Sequence, residues 1–291
     1  MPAVSVNGTC LEYVEQGEGQ PVLFVHGGSG DLRSWQGVLP AFGASFRAIA
    51  VSCRGYHPNE PLRDDEGLTL DAHVEDLIGV VRALELEPVH LVGHSSPGGF
   101  GSLLFAARQP GMLRSLVLIE PPAFPLLGVN IPPKPPQILR LLFRHPRIAA
   151  GFLKFGAKAM APAIKAFERG DDEQGLRLFI AGNLGSAALA EIPPAVFQVR
   201  FQQGLENIRP LKAQLRAGFP DISADDVRKI RVPTLLVAGE RSNAVLRGVT
   251  DRLAALLSNV ARLDIPNASH NMFDADPERF NRGVMAFLEA H

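Results

Sequence analysis

The sequence predicts an α/β fold: a mostly parallel sheet of eight strands, helices on both of its faces, and a helical segment inserted late in the sheet. Three observations predict it. Short apolar runs, such as Pro21-Val22-Leu23-Phe24-Val25 and, apart from Arg47, Phe46 to Val51, suit strands buried on both faces of a parallel sheet. Segments with helical apolar spacing alternate with those runs, so successive strands connect through right-handed crossovers. The rhythm stops at 121 and resumes near 230, with only helical patterning between.

The chain opens with a meander. Ala3 to Val6 and Thr9 to Val14 pair as strands joined at Asn7-Gly8, a dipeptide suited to a hairpin turn. Pro21 to Val25 and Phe46 to Val51 are the third and fourth strands. Leu70, Val74, Leu77, Ile78, Val81 and Leu84 share one helical face, and Pro88 separates that helix from the fifth strand, Val89 to Val92. Phe100 to Arg108 is the next helix and Leu116 to Ile119 the sixth strand. After the insertion come the seventh strand, Thr234 to Ala238, a helix from Leu246 to Leu257, and the eighth strand, Ala261 to Ile265. Asp276 caps a final helix with Pro277 in its first position. The sheet domain is therefore expected in 1–120 and 230–291, with 121–229 as a helical cap. Pro132, Pro133, Pro135 and Pro136 punctuate the start of the cap, and Ile138 to Phe143, Ile148 to Met160, Leu176 to Ile180 and Val196 to Ile208 pattern as helices. Such a cap can roof a pocket at the carboxyl ends of the strands.

Composition excludes several classes of function. With 291 residues, 46% apolar and 20% charged, the chain can bury a large core. A net charge of -1 gives no overall basic footprint, so neither nucleic acid nor a membrane is an expected partner, and a small neutral or weakly charged molecule is. No apolar run reaches the roughly 18 residues of a membrane span. Cys10 and Cys53 are the only cysteines, too few for a disulfide framework, and a reducing cytoplasm is the expected setting. No two of the eight histidines have metal-ligand spacing on a helix, so no metal is expected, and with no Gly-x-Gly-x-x-Gly and no Lys-Ser/Thr after a glycine cluster no other cofactor is expected.

Chemistry concentrates in His90-Leu91-Val92-Gly93-His94-Ser95-Ser96-Pro97-Gly98-Gly99. A strand running through Gly-x-Ser into glycines presents a hydroxyl nucleophile on a sharp strand-to-helix turn, where larger side chains would collide. The usual spacing is Gly-x-Ser-x-Gly, and here Pro97 stands in place of the second glycine. Two further motifs follow predicted strands: His26-Gly27-Gly28-Ser29-Gly30 after the buried third, and Ala268-Ser269-His270 after the eighth. Together the three motifs resemble the α/β-hydrolase family along nearly the whole chain, most weakly in the cap. The resemblance implies an eight-stranded α/β-hydrolase sheet and a nucleophile, an acid and a histidine in that chain order.

Two serines compete for the role of nucleophile. Counting back from Gly98-Gly99 favours Ser96, and counting along the strand from Gly93 favours Ser95. The fold takes one oxyanion donor from the residue after the nucleophile, and Pro97 has no N–H to offer after Ser96, so Ser95 is the expected nucleophile and Ser96 the donor. Gly28 is the expected second donor, and His270 the general base. The commonest pattern puts the acid where this chain has Ser242, after Gly239-Glu240-Arg241. Glu120, ending the sixth strand, occupies an alternative location used by some family members, and Glu240 is the runner-up. Ser52-Cys53-Arg54-Gly55-Tyr56 resembles the family's Asp-x-Arg-Gly-x-Gly turn without its Asp and has a structural reading. Trp35 and Phe124 are expected to touch substrate, with the stretch from Phe124 to Phe155 lining an apolar pocket.

The expected activity is hydrolysis of a small, largely apolar ester or lactone through an acyl-enzyme. Dehalogenases and epoxide hydrolases, which resemble this fold, use an Asp nucleophile that is absent here. Carbon-carbon bond hydrolysis, other chemistry on the same scaffold (lyase, acyl transfer, cofactor-free oxygenation) and a purely binding role are the alternatives.

Overall fold

The computed structural model describes residues 1–62 and 68–291. Its strands are β1 (Ala3–Val6), β2 (Thr9–Gln16), β3 (Pro21–Val25), β4 (Arg47–Val51), β5 (Val89–His94), β6 (Leu113–Ile119), β7 (Thr234–Gly239) and β8 (Val260–Ile265). They form one sheet in the order β1-β2-β4-β3-β5-β6-β7-β8. The β1–β2 and β2–β4 pairs are antiparallel and every other neighbouring pair is parallel. The continuous apolar runs became the central strands, with every residue of β7 buried. β8 is the edge of the sheet, and its exposed Arg262 and Asp264 form an ion pair that discourages addition of a further strand.

Helices cover both faces. In the first half lie α1 (Leu39–Phe42), α2 (Leu70–Ala83) and α3 (Gly98–Arg108). The Thr69 hydroxyl caps α2 by accepting from the Ala72 N–H, and Leu70, Val74, Leu77, Ile78 and Val81 form its buried face. Alternate residues of each strand serve opposite clusters. Leu23, Leu91, Leu118 and Leu236 face α2 and α3, whereas Phe24, Val92, Val117 and Val237 face Trp35, Phe42 and Phe280.

Between β6 and β7 the described residues are helical: α4 (Pro135–Arg144), α5 (Pro146–Phe155), α6 (Ala161–Glu168), α7 (Asp172–Leu184), α8 (Ser186–Glu191), α9 (Pro194–Glu206), α10 (Ile208–Ala217) and α11 (Ala224–Lys229). The periodicity from Ile148 to Met160 covers most of α5 and a π-helical turn, Gly156–Met160, that leads directly into α6. This helical insertion packs in two parts. Ala163, Phe167, Leu176, Phe201 and Leu211 form a small core of their own. Phe124, Leu141, Ala149, Phe152 and Val227 instead join the main core on the α2–α3 face of the sheet.

The chain closes with α12 (Ala244–Leu256), α13 (Met272–Ala275) and α14 (Pro277–Glu289). Asp276 accepts from the Arg279 N–H with Pro277 in the first helical position, as the spacing predicts. No helix of the described residues is long and apolar enough to cross a membrane.

Candidate active site

Ser95 stands between the end of β5 and the start of α3 with φ 51°, a left-handed conformation that a serine adopts only under constraint. The constraint is crowding. A Cβ on Gly93 would lie 2.4 Å from both the Gly98 carbonyl oxygen and Ser102 Oγ, and one on Gly98 would lie 2.2 Å from the Val25 carbonyl oxygen. The extra residue is absorbed between Ser95 and α3: the Phe100 N–H reaches back five residues to the Ser95 carbonyl (2.8 Å) before Gly101 to Pro97 begins the four-residue ladder (2.8 Å). The Gly98 N–H donates to the His26 carbonyl (3.0 Å), and Gly27 pairs with Pro97 in an isolated antiparallel bridge. The His26-Gly27-Gly28 loop is thereby tied to the turn that carries Ser95.

Sheet register places the carboxylate. His94 pairs with Ile119 across β5 and β6, and the Ser95 N–H donates to the Ile119 carbonyl (2.9 Å), so Ser95 and Glu120 leave the sheet side by side. Glu120 is fully buried, with φ 44°. Burying a carboxylate is costly unless it is paired. Here Oε1 accepts from the Gly239 N–H at 3.0 Å, and Oε2 accepts from His270 Nδ1–H at 2.7 Å. That bond fixes the proton on Nδ1 and leaves Nε2 to accept from Ser95 Oγ–H at 3.0 Å.

The other acidic candidate lies elsewhere. Glu240 Oε2 accepts from the Asn267 N–H (3.1 Å), which steadies the loop leading to His270. Ser242 is buried, and its Oγ has no hydrogen-bond partner among the described residues.

Two motif histidines hold loops in place. His94 donates Nε2–H to the His270 carbonyl (3.0 Å), its ring 4.6 Å from that of His270. Burial first, and the neighbouring His270 second, hold the His94 imidazole well below its usual pKa, so it stays neutral. His26 donates Nδ1–H to the Gly27 carbonyl (2.9 Å) and accepts from the Cys53 N–H on Nε2 (3.0 Å). Its pKa is lowered chiefly by burial, which preserves that neutral tautomer.

The expected oxyanion residues meet under α10. Ser96 Oγ accepts from Gln214 Nε2 (2.6 Å), and Gln214 Oε1 accepts from the Tyr56 hydroxyl (3.3 Å). A Cβ on Gly28 would stand 3.0 Å from the Ser96 carbonyl oxygen, 3.2 Å from Leu211 and 3.3 Å from Gln214, so glycine is what lets these groups approach.

Gly28, Ser95 and His270 line a cavity of about 700 Å³. Its apolar wall comes from Phe179, Ile180 and Leu184 of α7 and Val196 and Phe197 of α9, while Arg200 of α9 meets Asp274 of α13 at 2.5 Å. Trp35 and Phe124 do not reach it. Trp35 is fully buried behind the wall, 4.9 Å from the cavity-lining Phe273 ring and 5.2 Å from Phe24. Phe124 packs edge-on against Phe152 and Phe219 in the main core. The expectation that both contact substrate, and that Phe124 to Phe155 lines the pocket, is corrected for one reason: large apolar side chains near the sheet were drawn into its core, and the roof fell to later helices. Sequence reasoning missed Arg200 and Gln214. The clue to Arg200 was a lone charge in the apolar run Val199-Arg200-Phe201, whereas Gln214 carried no signal of its own.

A serine, histidine and carboxylate joined by hydrogen bonds at the carboxyl edge of a parallel sheet define a class of enzyme, the α/β hydrolases. Residues 20–277 match the model of the α/β hydrolase fold family, and the chain belongs to that family. It is similar to the non-heme chloroperoxidase of Kitasatospora aureofaciens, with 28% identity over 287 residues and 97% of each chain covered. In fold it is similar to the enol-lactonase from Burkholderia xenovorans LB400 (TM-score 0.73, 19% identity, 99% of this chain and 100% of that one). A thermophilic esterase from Thermogutta terrifontis is similar too (TM-score 0.74, 22% identity, 100% of this chain and 99% of that one).

Proposed function

We propose that this α/β hydrolase cleaves small, largely apolar esters or lactones through an acyl-enzyme on Ser95. The observation that carries the reading is the unbroken hydrogen-bonded path from Ser95 Oγ through His270 to Glu120, opening on the cavity. As Ser95 Oγ attacks the carbonyl carbon, its proton passes to His270 Nε2, and Glu120 orients the ring and stabilises the imidazolium. The Gly28 and Ser96 N–H groups stabilise the oxyanion. His270 then protonates the leaving alkoxide, and water, deprotonated by the same ring, releases the acid and restores Ser95. Ser96 is not the attacking group in this reading, because its hydroxyl is engaged by Gln214. The aromatic and aliphatic wall from α7 and α9 supports an apolar substrate, with 121–229 as the cap that supplies it. The free Cys10 and Cys53 support a reducing cytoplasmic setting.

A fluorophosphonate probe followed by peptide mass spectrometry, alongside turnover of p-nitrophenyl esters from acetate to hexanoate, tests the proposal. Labelling on Ser95 and turnover that rises beyond acetate are expected. A chain that neither labels nor turns over any ester of the series is a binding protein or another kind of enzyme.

A further inference from the structure

Net charge near zero conceals a strong asymmetry. Residues 121–167 hold seven lysines and arginines and not one aspartate or glutamate, so the rest of the chain carries 22 cations against 30 anions. Among the described residues none of those seven cations is ion-paired. The same segment carries apolar side chains that the fold leaves outside. On α4, Leu141 is 2% exposed and faces the main core, while Leu139, Leu142 and Phe143, at helical spacing on another face, are 55%, 45% and 80% exposed. Leu153 on the next helix is 50% exposed. A phenylalanine that open to water, with leucines beside it and Arg140 and Arg144 flanking it, is the pattern of an interfacial helix: apolar residues for the acyl boundary, and arginines whose stems reach back to the headgroups.

We propose that the exposed face of α4, with the adjoining part of α5, docks on the surface of an anionic phospholipid bilayer and lies in the plane of the interface without crossing it. Charge decides between occupants. A second copy of this face would bring like charges together, and nucleic acid would satisfy the arginines but leave Leu139, Leu142 and Phe143 in water. A bilayer with anionic headgroups satisfies both features at once. The proposal is independent of the ester-hydrolase reading, since α4 lies outside the cavity lining.

Flotation of the full-length protein with vesicles of phosphatidylcholine, with and without phosphatidylglycerol, reads the interaction directly. Binding is expected only when phosphatidylglycerol is present, weakening as salt is raised. The double substitution Arg140→Ser with Arg144→Ser should lower partitioning roughly thirtyfold, at about a factor of five per cation. Phe143→Ser should weaken it as well, and all forms should keep their circular dichroism and their turnover of a water-soluble ester. Failure of the wild type to float with anionic vesicles overturns the proposal, and so does equal flotation with phosphatidylcholine alone. Double-stranded DNA binding that matches vesicle binding and ignores Phe143→Ser would make the patch a polyanion site. A stable dimer that Phe143→Ser dissociates would make it a contact between copies.

Discussion

Single residues carry the proposed chemistry at two points. Ser95 and Ser96 are neighbours in sequence, yet their hydroxyls face different partners, His270 in one case and Gln214 in the other. Ser95→Ala is therefore expected to abolish probe labelling and turnover. Ser96→Ala should keep appreciable labelling, because its backbone N–H survives, at a stability cost of about 1–3 kcal/mol for the unpaired Gln214 amide. Labelling kinetics on the two purified variants separate the roles, and the reverse pattern would reassign the nucleophile. Glu120→Gln should lower kcat roughly 10⁴-fold by spoiling the His270 tautomer, with the fold intact by circular dichroism. Glu240→Gln, which alters only the loop contact with the Asn267 N–H and keeps an acceptor oxygen for it, should lose far less, and near-normal kcat in Glu120→Gln would move the acid. Ser95, Glu120 and His270 were legible as candidates from their motifs and from the strand ends they follow, although the strand before His270 is half exposed. The contest between the two serines was harder, since spacing pulled both ways and only the missing proline N–H weighed for one. Trp35 and Phe124 misled because an aromatic side chain near a motif carries the same signature whether it faces the pocket or the core behind it.

At the scale of elements, the central strands were the most legible feature, since a strand buried on both faces cannot alternate. β8 was less so: half of it is exposed, and it extends from Val260 where the pattern begins at Ala261. The interior of β5 contains a group that no apolar pattern announces. His90 is 1% exposed, bonded through Nδ1 to Ser115 Oγ at 2.7 Å, and burial lowers its pKa to about 4. A neutral buried imidazole favours the folded state fully above its unfolded pKa of about 6.5, and that contribution is lost as pH falls through the window down to about 4. The loss is on the order of 3 kcal/mol. Urea unfolding at pH 7 and near pH 4 should show a smaller fall in stability for His90→Gln than for the wild type. Identical pH dependence of the two proteins would mean that His90 is not buried in its neutral form.

Across the whole molecule, the helical insertion was legible as an interruption of the strand rhythm, but its division into two parts was not. Periodicity reports that a helix has an apolar face and is silent about which core that face joins. Between α9 and α10, the fully buried Asn207 donates to Asp31 (2.8 Å) and accepts from the His57 N–H (2.7 Å), so polar bonds as well as apolar packing join the roof to the sheet domain.

The separate core beneath α6 to α10 makes that part of the chain an exchangeable cartridge. Phe167, Leu176 and Phe201 pack mainly on one another, so grafting the equivalent of residues 161–217 from another member of the family, with Asn207 and Gln214 retained for their bonds to Asp31 and Ser96, should give a folded chimera with a changed substrate range. Grafting the equivalent of 121–229 also removes Phe124, Leu141 and Phe152 from the main core, where losing even one large apolar side chain costs about 2–5 kcal/mol. Thermal unfolding of the two chimeras should separate them clearly, with the shorter graft near the wild type and the longer one far below it. New specificities on this scaffold should therefore be reached with least loss of stability by trading α6 to α10 around Asn207 and Gln214, with the segment from Phe124 to Phe152 left in place as part of the foundation.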